Sequence, residues 1–207
     1  MTGQQWLSSF IESLAELEEE SNTNKDAEWT RFMVKVMKLI GKKTNNYVIS
    51  KDPDNKRDSG EYLNIDALFI DNLAYDNWNS EDWDPPVLPS AAVELENNDS
   101  FEKITYCLWK ILCLRAEVRV LICYQKNEAK IAALKRHLED TIKSRNLMER
   151  DEEELFIIIG DENKENAEWE DYFNILEWRA GYLGRIGSGK EEIEKEKKEK
   201  GTTPFRE

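Results

Sequence analysis

The chain has 207 residues, 40% of them hydrophobic, and a formal net charge of −14. Length and apolar content suffice for a sizeable core, while the acidic balance argues against broad, non-specific nucleic-acid binding and leaves room for a local basic groove. There is no apolar run of the ~18 residues a transmembrane helix needs, and MTGQQWLSSF lacks the basic and apolar regions of a signal peptide. No membrane association and a cytoplasmic location are therefore expected.

QQWLSSFIESLAELEEE sets Trp6, Phe10, Leu14 and Leu17 on one helical face. DAEWTRFMVKVMKLIG repeats the pattern with Trp29, Phe32, Val36, Leu39 and Ile40. Asp26 is the expected N-cap of this second helix and Gly41 its C-cap. NYVIS reads as a short strand, KDPDNKRDSG as a turn region and YLNIDALFID as a strand. NLAYDNWNSEDWDPP reads as a long acidic loop, an insertion over residues 73–90. AAVELEN is the next strand.

SFEKITYCLWKILCL places Phe101, Ile104, Leu108 and Ile111 on one helical face, with Ser100 as N-cap. AEVRVLICYQ is apolar without a break at its centre, the mark of a strand buried on both faces. NEAKIAALKRHLEDTIKSRN is an amphipathic helix through Ile131, Leu134, Leu138 and Ile142. ELFIIIGDE is a second buried strand, and YFNILEWRAGYLGRIG is a strand or a bent strand pair. KEEIEKEKKEKGTTPFRE is a charge-rich tail. No internal repeat is present. This order predicts an α/β fold: a central mixed sheet flanked by helices on both faces, beginning with an antiparallel meander and continuing in parallel strand–helix–strand units. Residues 1–187 are expected to form one domain and 188–207 a flexible tail.

Several chemistries fit poorly. Cys107, Cys113 and Cys123 are odd in number and sit in apolar segments, so they read as buried thiols. With no CxxC and a single histidine, His137, a zinc site or a histidine-based triad is not expected. GRIGSGKE nearly matches a P-loop, but Glu191 stands where a hydroxyl should hold Mg²⁺. The acidic loop has no glycine or terminal glutamate at calcium-loop spacing.

The carboxylates are more informative. In the strand AAVELEN, Glu94 and Glu96 lie two residues apart and so point to one face. In YLNIDALFID, Asn64, Asp66, Leu68 and Ile70 share a face by the same alternation. If the two strands pair with those faces on one side, three carboxylates converge. Such a cluster repels itself unless a cation joins it. A hard divalent ion, bound through a few carboxylates, waters and phosphate oxygens, resolves the conflict and polarises a phosphoryl group. The alternative is a set of solvated acids at strand ends.

Asp66, followed 28 residues later by Glu94-Leu95-Glu96 after AAV, resembles the signature of the PD-(D/E)XK, or restriction-endonuclease-like, superfamily. The family core of helix, three-stranded meander, helix and strand is similar to the order over residues 26–123. The resemblance implies a Mg²⁺- or Mn²⁺-dependent nuclease that hydrolyses phosphodiester bonds, most often in DNA. It implies Asp66 and Glu94 as metal ligands, and a homodimer is left open. The usual third residue is lysine. Here it is Glu96, as in a minority of type II restriction enzymes, with a role on the metal or the water. A lysine moved to the next helix is an alternative, Lys103 being the nearest candidate. Glu28 fits the extra glutamate that the family takes from its first core helix. The departure from lysine also admits a catalytically inactive copy of the fold, acting as a binding or regulatory module. A phosphate track could run along Lys35, Lys38, Lys42 and Lys43, or along Lys126, Lys130, Lys135 and Arg136, unless these form the solvated faces of amphipathic helices.

Overall fold

The computed structural model describes residues 1–17, 26–50, 64–78, 88–145, 147, 153–164 and 172–187. Among the described residues, seven strands form one sheet in which spatial order and chain order coincide. They are β1 (Asn46–Ser50), β2 (Ala67–Asp71), β3 (Ala91–Glu96), β4 (Val118–Gln125), β5 (Glu154–Asp161), β6 (Phe173–Arg179) and β7 (Tyr182–Gly187). The helices are α1 (Gly3–Glu16), α2 (Asp26–Lys43), α3 (Asn72–Trp78), α4 (Phe101–Leu112) and α5 (Glu128–Arg145). The first three strands are an antiparallel meander, β3, β4 and β5 run parallel, and β5, β6 and β7 are again antiparallel. The α/β class and the mixed sheet flanked by helices are as the sequence predicts.

Alternation sorts the core into two layers. Ala67, Phe69, Ala91, Val93, Val120, Ile122 and Phe156 face α1 and α2, where Trp6, Phe10, Met33 and Met37 are buried. Leu68, Ala92, Leu121, Cys123, Ile157 and Ile159 face α4 and α5, through Ile104, Leu108, Leu134 and Leu138. The connections β3–α4–β4 and β4–α5–β5 step the same way along the sheet, so crossovers of one hand put both helices on one side. The other side is left to the two helices that precede the sheet. Both β4 and β5 sit mid-sheet under helices, and every residue of β4 is buried. Each fully buried Ile or Leu there contributes roughly 1.5–3 kcal/mol of transfer free energy. Arg119 is tolerated in β4 because Glu153 lies 2.7 Å from its Nη1 and the Leu114 carbonyl accepts its Nε–H and Nη2–H at 3.1 and 2.9 Å.

Four local expectations are corrected. The acidic stretch after β2 does not begin as a loop: Asp71 Oδ1 accepts the N–H groups of Leu73 and Ala74 at 3.0 and 3.2 Å, so it caps the start of α3. Residues 79–87 of the expected insertion lie outside the described residues, as do 188–207. Gly41 does not end α2, which runs on to Lys43 and leaves through Asn45 at φ 55°. Ser100 stands at the N-cap of α4, but its side chain makes no capping bond. Cys113 is exposed, whereas Cys107 and Cys123 are buried.

YFNILEWRAGYLGRIG is the β6–β7 hairpin. Arg179 pairs with Tyr182 across Ala180 and Gly181, both at positive φ (49° and 83°), as a two-residue turn of the I′ type requires. Gly184 and Gly187 therefore belong to a strand ladder and not to a phosphate loop.

Gly41 has a different task from the one its sequence context suggests. A Cβ there would stand 2.3 Å from Val48 Cγ2 and 2.8 Å from the backbone oxygen of Asn46. Glycine lets α2 lie directly on β1. Gly41→Ala should destabilise the fold by about 1–3 kcal/mol, the usual cost of overpacking, measured as a lower urea midpoint. An unchanged or raised midpoint would mean that β1 is free to move away.

Candidate functional site

The β2–β3 ladder pairs Ala67 with Val93 and stops there. One step further along that register, Asp66 stands opposite Glu94. Asp66 lies in a bend ahead of β2, and Asn64 adopts a left-handed conformation, φ 57°. The expected strand is thus shorter at its start than YLNIDALFID suggests, and Asn64 does not share a face with Asp66 by strand alternation. Asp66 reaches back to the sheet through its side chain, where Oδ2 accepts the Leu95 N–H at 2.8 Å. That bond replaces the ladder where the backbone has turned away.

Glu94 and Glu96 do share a face, the one toward α4. Cys107 of α4 lies close to both and donates to Glu96, its Sγ 3.6 Å from Oε2. Burial, and then the charges of Glu94 and Glu96, hold this thiol far above its usual range, so it remains an S–H donor. The other Glu96 oxygen accepts the Asn98 N–H at 2.8 Å. Glu96 therefore closes the turn after β3.

Glu94 is the unusual group. It is 1% exposed. Its Oε2 lies 2.7 Å from Lys110 Nζ, and its Oε1 is buried with no hydrogen-bond partner among the described residues. Burial pushes the Glu94 carboxyl up, and Asp66 pushes it further. Lys110 and Cys107 pull it part of the way back, and the balance lies at about 7. Lys110 also donates to the Asn64 carbonyl at 3.0 Å, which the left-handed residue presents to it. Burial opposes the ammonium, yet the hydrogen bond and charge of Glu94, with Asp66 behind, hold its pKa above the ordinary lysine value.

Lys110 is the residue that the sequence reading missed. Lys103, the expected candidate, is exposed at the start of α4. Lys110 follows it by seven residues, about two turns or 10 Å along the same stripe of the helix. Glu28 falls in α2, but its side chain lies outside the described residues.

No family model, curated protein or solved structure matches the chain.

Chemically, Asp66 and Glu94 offer hard oxygens on one side of the sheet, one of them the unpartnered Glu94 Oε1. Two carboxylates are enough for Mg²⁺ when waters and phosphate oxygens complete the shell. Among the described residues no three His, Cys, Asp or Glu side chains form a metal-holding group. Glu96 is turned to Asn98 and Cys107, so the three-carboxylate convergence reduces to a pair. The basic tracks are partly spent within the fold. Lys43 pairs with Glu12 and Glu16, and Lys126 and Lys130 pair with Asp99. His137 lies 2.9 Å from Thr105 Oγ1, which donates its own proton to the Phe101 carbonyl and so cannot also give it to the imidazole.

The raised pKa of Glu94 has a definite sign in stability. Folding takes up a proton between its ordinary value of 4.5 and about 7. The stabilising contribution is thus complete below the lower value and is lost as pH rises through the upper one. Glu94→Gln removes this dependence. The Tm of the variant minus that of wild type should increase between about pH 5 and about pH 8. A difference that stays constant would mean Glu94 ionises like a surface carboxylate.

Proposed function

We propose that this chain is a divalent-metal-dependent phosphodiesterase of the PD-(D/E)XK kind, acting on nucleic acid, with Asp66 and Glu94 as metal ligands and Lys110 as its lysine. One observation carries the reading: Lys110 Nζ lies 2.7 Å from the buried carboxylate of Glu94, on the face that Asp66 closes. A lysine is thereby returned to the signature from the neighbouring helix, although Glu96 occupies its usual place in β3. The order α2, β1–β2–β3, α4, β4 supports the reading, since it follows the family core of helix, meander, helix and strand. Two carboxylates side by side also need a positive partner, and the unpartnered Glu94 oxygen points to one beyond Lys110.

The bound cation would supply polarisation of a phosphoryl oxygen and a more acidic water. The protein's own groups divide the remaining work. Asp66 is held in place by the Leu95 N–H. Lys110 is positioned by Glu94 and by the Asn64 carbonyl, and its charge offsets the negative charge that grows on the phosphoryl group. Glu94, poised near neutrality without the metal, gives up its proton at small cost when it takes the cation.

A second reading has its own observation. Glu96 is engaged by Asn98 and Cys107, so the signature position itself holds no catalytic group. A silent copy of the fold, binding without cleaving, follows if Lys110 serves only to neutralise Glu94.

The two readings separate on metal and on cleavage. Millimolar Mg²⁺ or Mn²⁺ should raise the Tm of wild type more than that of Glu94→Gln, and do so more strongly above about pH 7, where Glu94 has lost its proton. Cleavage of DNA or RNA should need the metal and fall with salt. Asp66→Asn and Lys110→Ala should each lower it by at least about a hundredfold, the order expected when an electrostatic partner of the reaction is removed. Lys103→Ala should leave it within a few-fold. If wild type cleaves no nucleic acid with either metal, the binding-module reading takes over.

A further inference from the structure

Tyr106 and Trp109 form an exposed aromatic pair on α4. They are 58% and 45% exposed, their rings stacked with centroids 5.9 Å apart and planes at 28°. The solvated face of an amphipathic helix is usually polar, so two large rings side by side call for an occupant. Their position supplies one. Lys110 Nζ lies 5.7 Å above the Tyr106 ring while it pairs with Glu94. Tyr106 therefore shares a side chain with the acidic pair. On the same stripe, one turn before Tyr106, stands Lys103, exposed and in no ion pair among the described residues. Arg115, just beyond the helix, is likewise exposed and without an ion pair there. In a chain of net charge −14, α4 and the residues just after it thus carry both exposed cations without an ion pair and two substantially exposed rings.

We infer that Tyr106 and Trp109 are a stacking platform for unpaired nucleobases, seating single-stranded nucleic acid beside the Asp66–Glu94–Lys110 site. Flat exposed rings bind any base through its π face, and neighbouring lysines and arginines bind the phosphates between bases. A base inside a duplex has both faces covered by its neighbours, so only an unpaired or extruded base can use such a platform. The inference rests on the phosphodiesterase reading for its substrate class and narrows it from nucleic acid in general to single strands. The two can fail separately, because base stacking needs no metal.

The test is binding of fluorescein-labelled 16-mers to the full chain in EDTA, followed by anisotropy at low salt. Four probes are used: single-stranded DNA, single-stranded RNA, the DNA duplex, and an abasic strand of equal length and charge. Either single strand should bind more tightly than the duplex and the abasic strand. Trp109→Ala and Tyr106→Ala should each weaken that binding about tenfold, in line with the loss of one stacked base. Trp109→Phe, which keeps a ring, should retain most of it. Both residues are substantially exposed, and unchanged circular dichroism of the variants checks the fold. Equal affinity for the abasic strand, or alanine variants that bind like wild type, would overturn the platform. Ring-dependent binding without cleavage in any metal keeps the platform and removes the phosphodiesterase. Metal-dependent cleavage of duplex without ring-dependent binding does the reverse.

Discussion

The contact between Glu94 and Lys110 decides how the third strand can be buried. Glu94 is all but sealed from solvent, and a lone carboxylate in that position costs several kcal/mol to ionise. The fold meets that cost in two ways at once. An ammonium from the adjacent helix lies on one oxygen, and the carboxyl pKa rises toward neutrality. Around that pair, α4 is fixed in rotation by Cys107 as well as by its apolar stripe, and the bend before β2 is fixed by the Asn64 carbonyl on Lys110. Strand, helix and bend are tied at one charged point. Apolar side chains of equal volume would hold the same elements together at no electrostatic cost, which makes the carboxylate pair a feature to explain by chemistry and not by stability.

Much of the architecture could be read from the residues, because burial leaves a period in the sequence. The unbroken apolar centre of AEVRVLICYQ could only be a strand covered on both sides, and β4 is. Ile131, Leu134, Leu138 and Ile142 recur as a helix demands, and all four are buried in α5. Failures came where a local signal had two meanings. Gly41 reads as a helix end, yet glycine also serves where a helix must lie flat on a strand, and contact with Val48 is invisible in sequence. The acidic composition after β2 masked the capping role of Asp71, since a carboxylate in a loop and a carboxylate capping a helix are the same letter.

The site was half legible for a similar reason. Glu94 and Glu96 declare their shared face through strand alternation, and Asp66, one residue ahead of β2, falls opposite Glu94 when the register is extended. A helix gives weaker guidance. Its polar residues are read as solvated by default, so nothing in the sequence singles out Lys110, three residues after the buried Cys107. Lys103 and Lys110 differ by two turns on one stripe, and only the docking of α4 on the sheet decides which reaches Glu94. The departure of the chain from extended geometry at Asn64 was likewise hidden, because the left-handed turn depends on where that carbonyl is needed.

The coincidence of strand order with chain order bears on how the protein assembles. Each strand adds beside its predecessor, so the sheet grows by short-range closure without threading a late strand between early ones. Contacts of modest sequence separation lower the loop-closure entropy spent before burial repays it, and chains built this way fold faster than those with distant pairings. The groups of the acidic site, from Asn64 to Lys110, come from one continuous stretch of the chain. During synthesis that stretch emerges well before β5, β6 and β7, so the charged point of the fold can be in place while much of the sheet has still to be made.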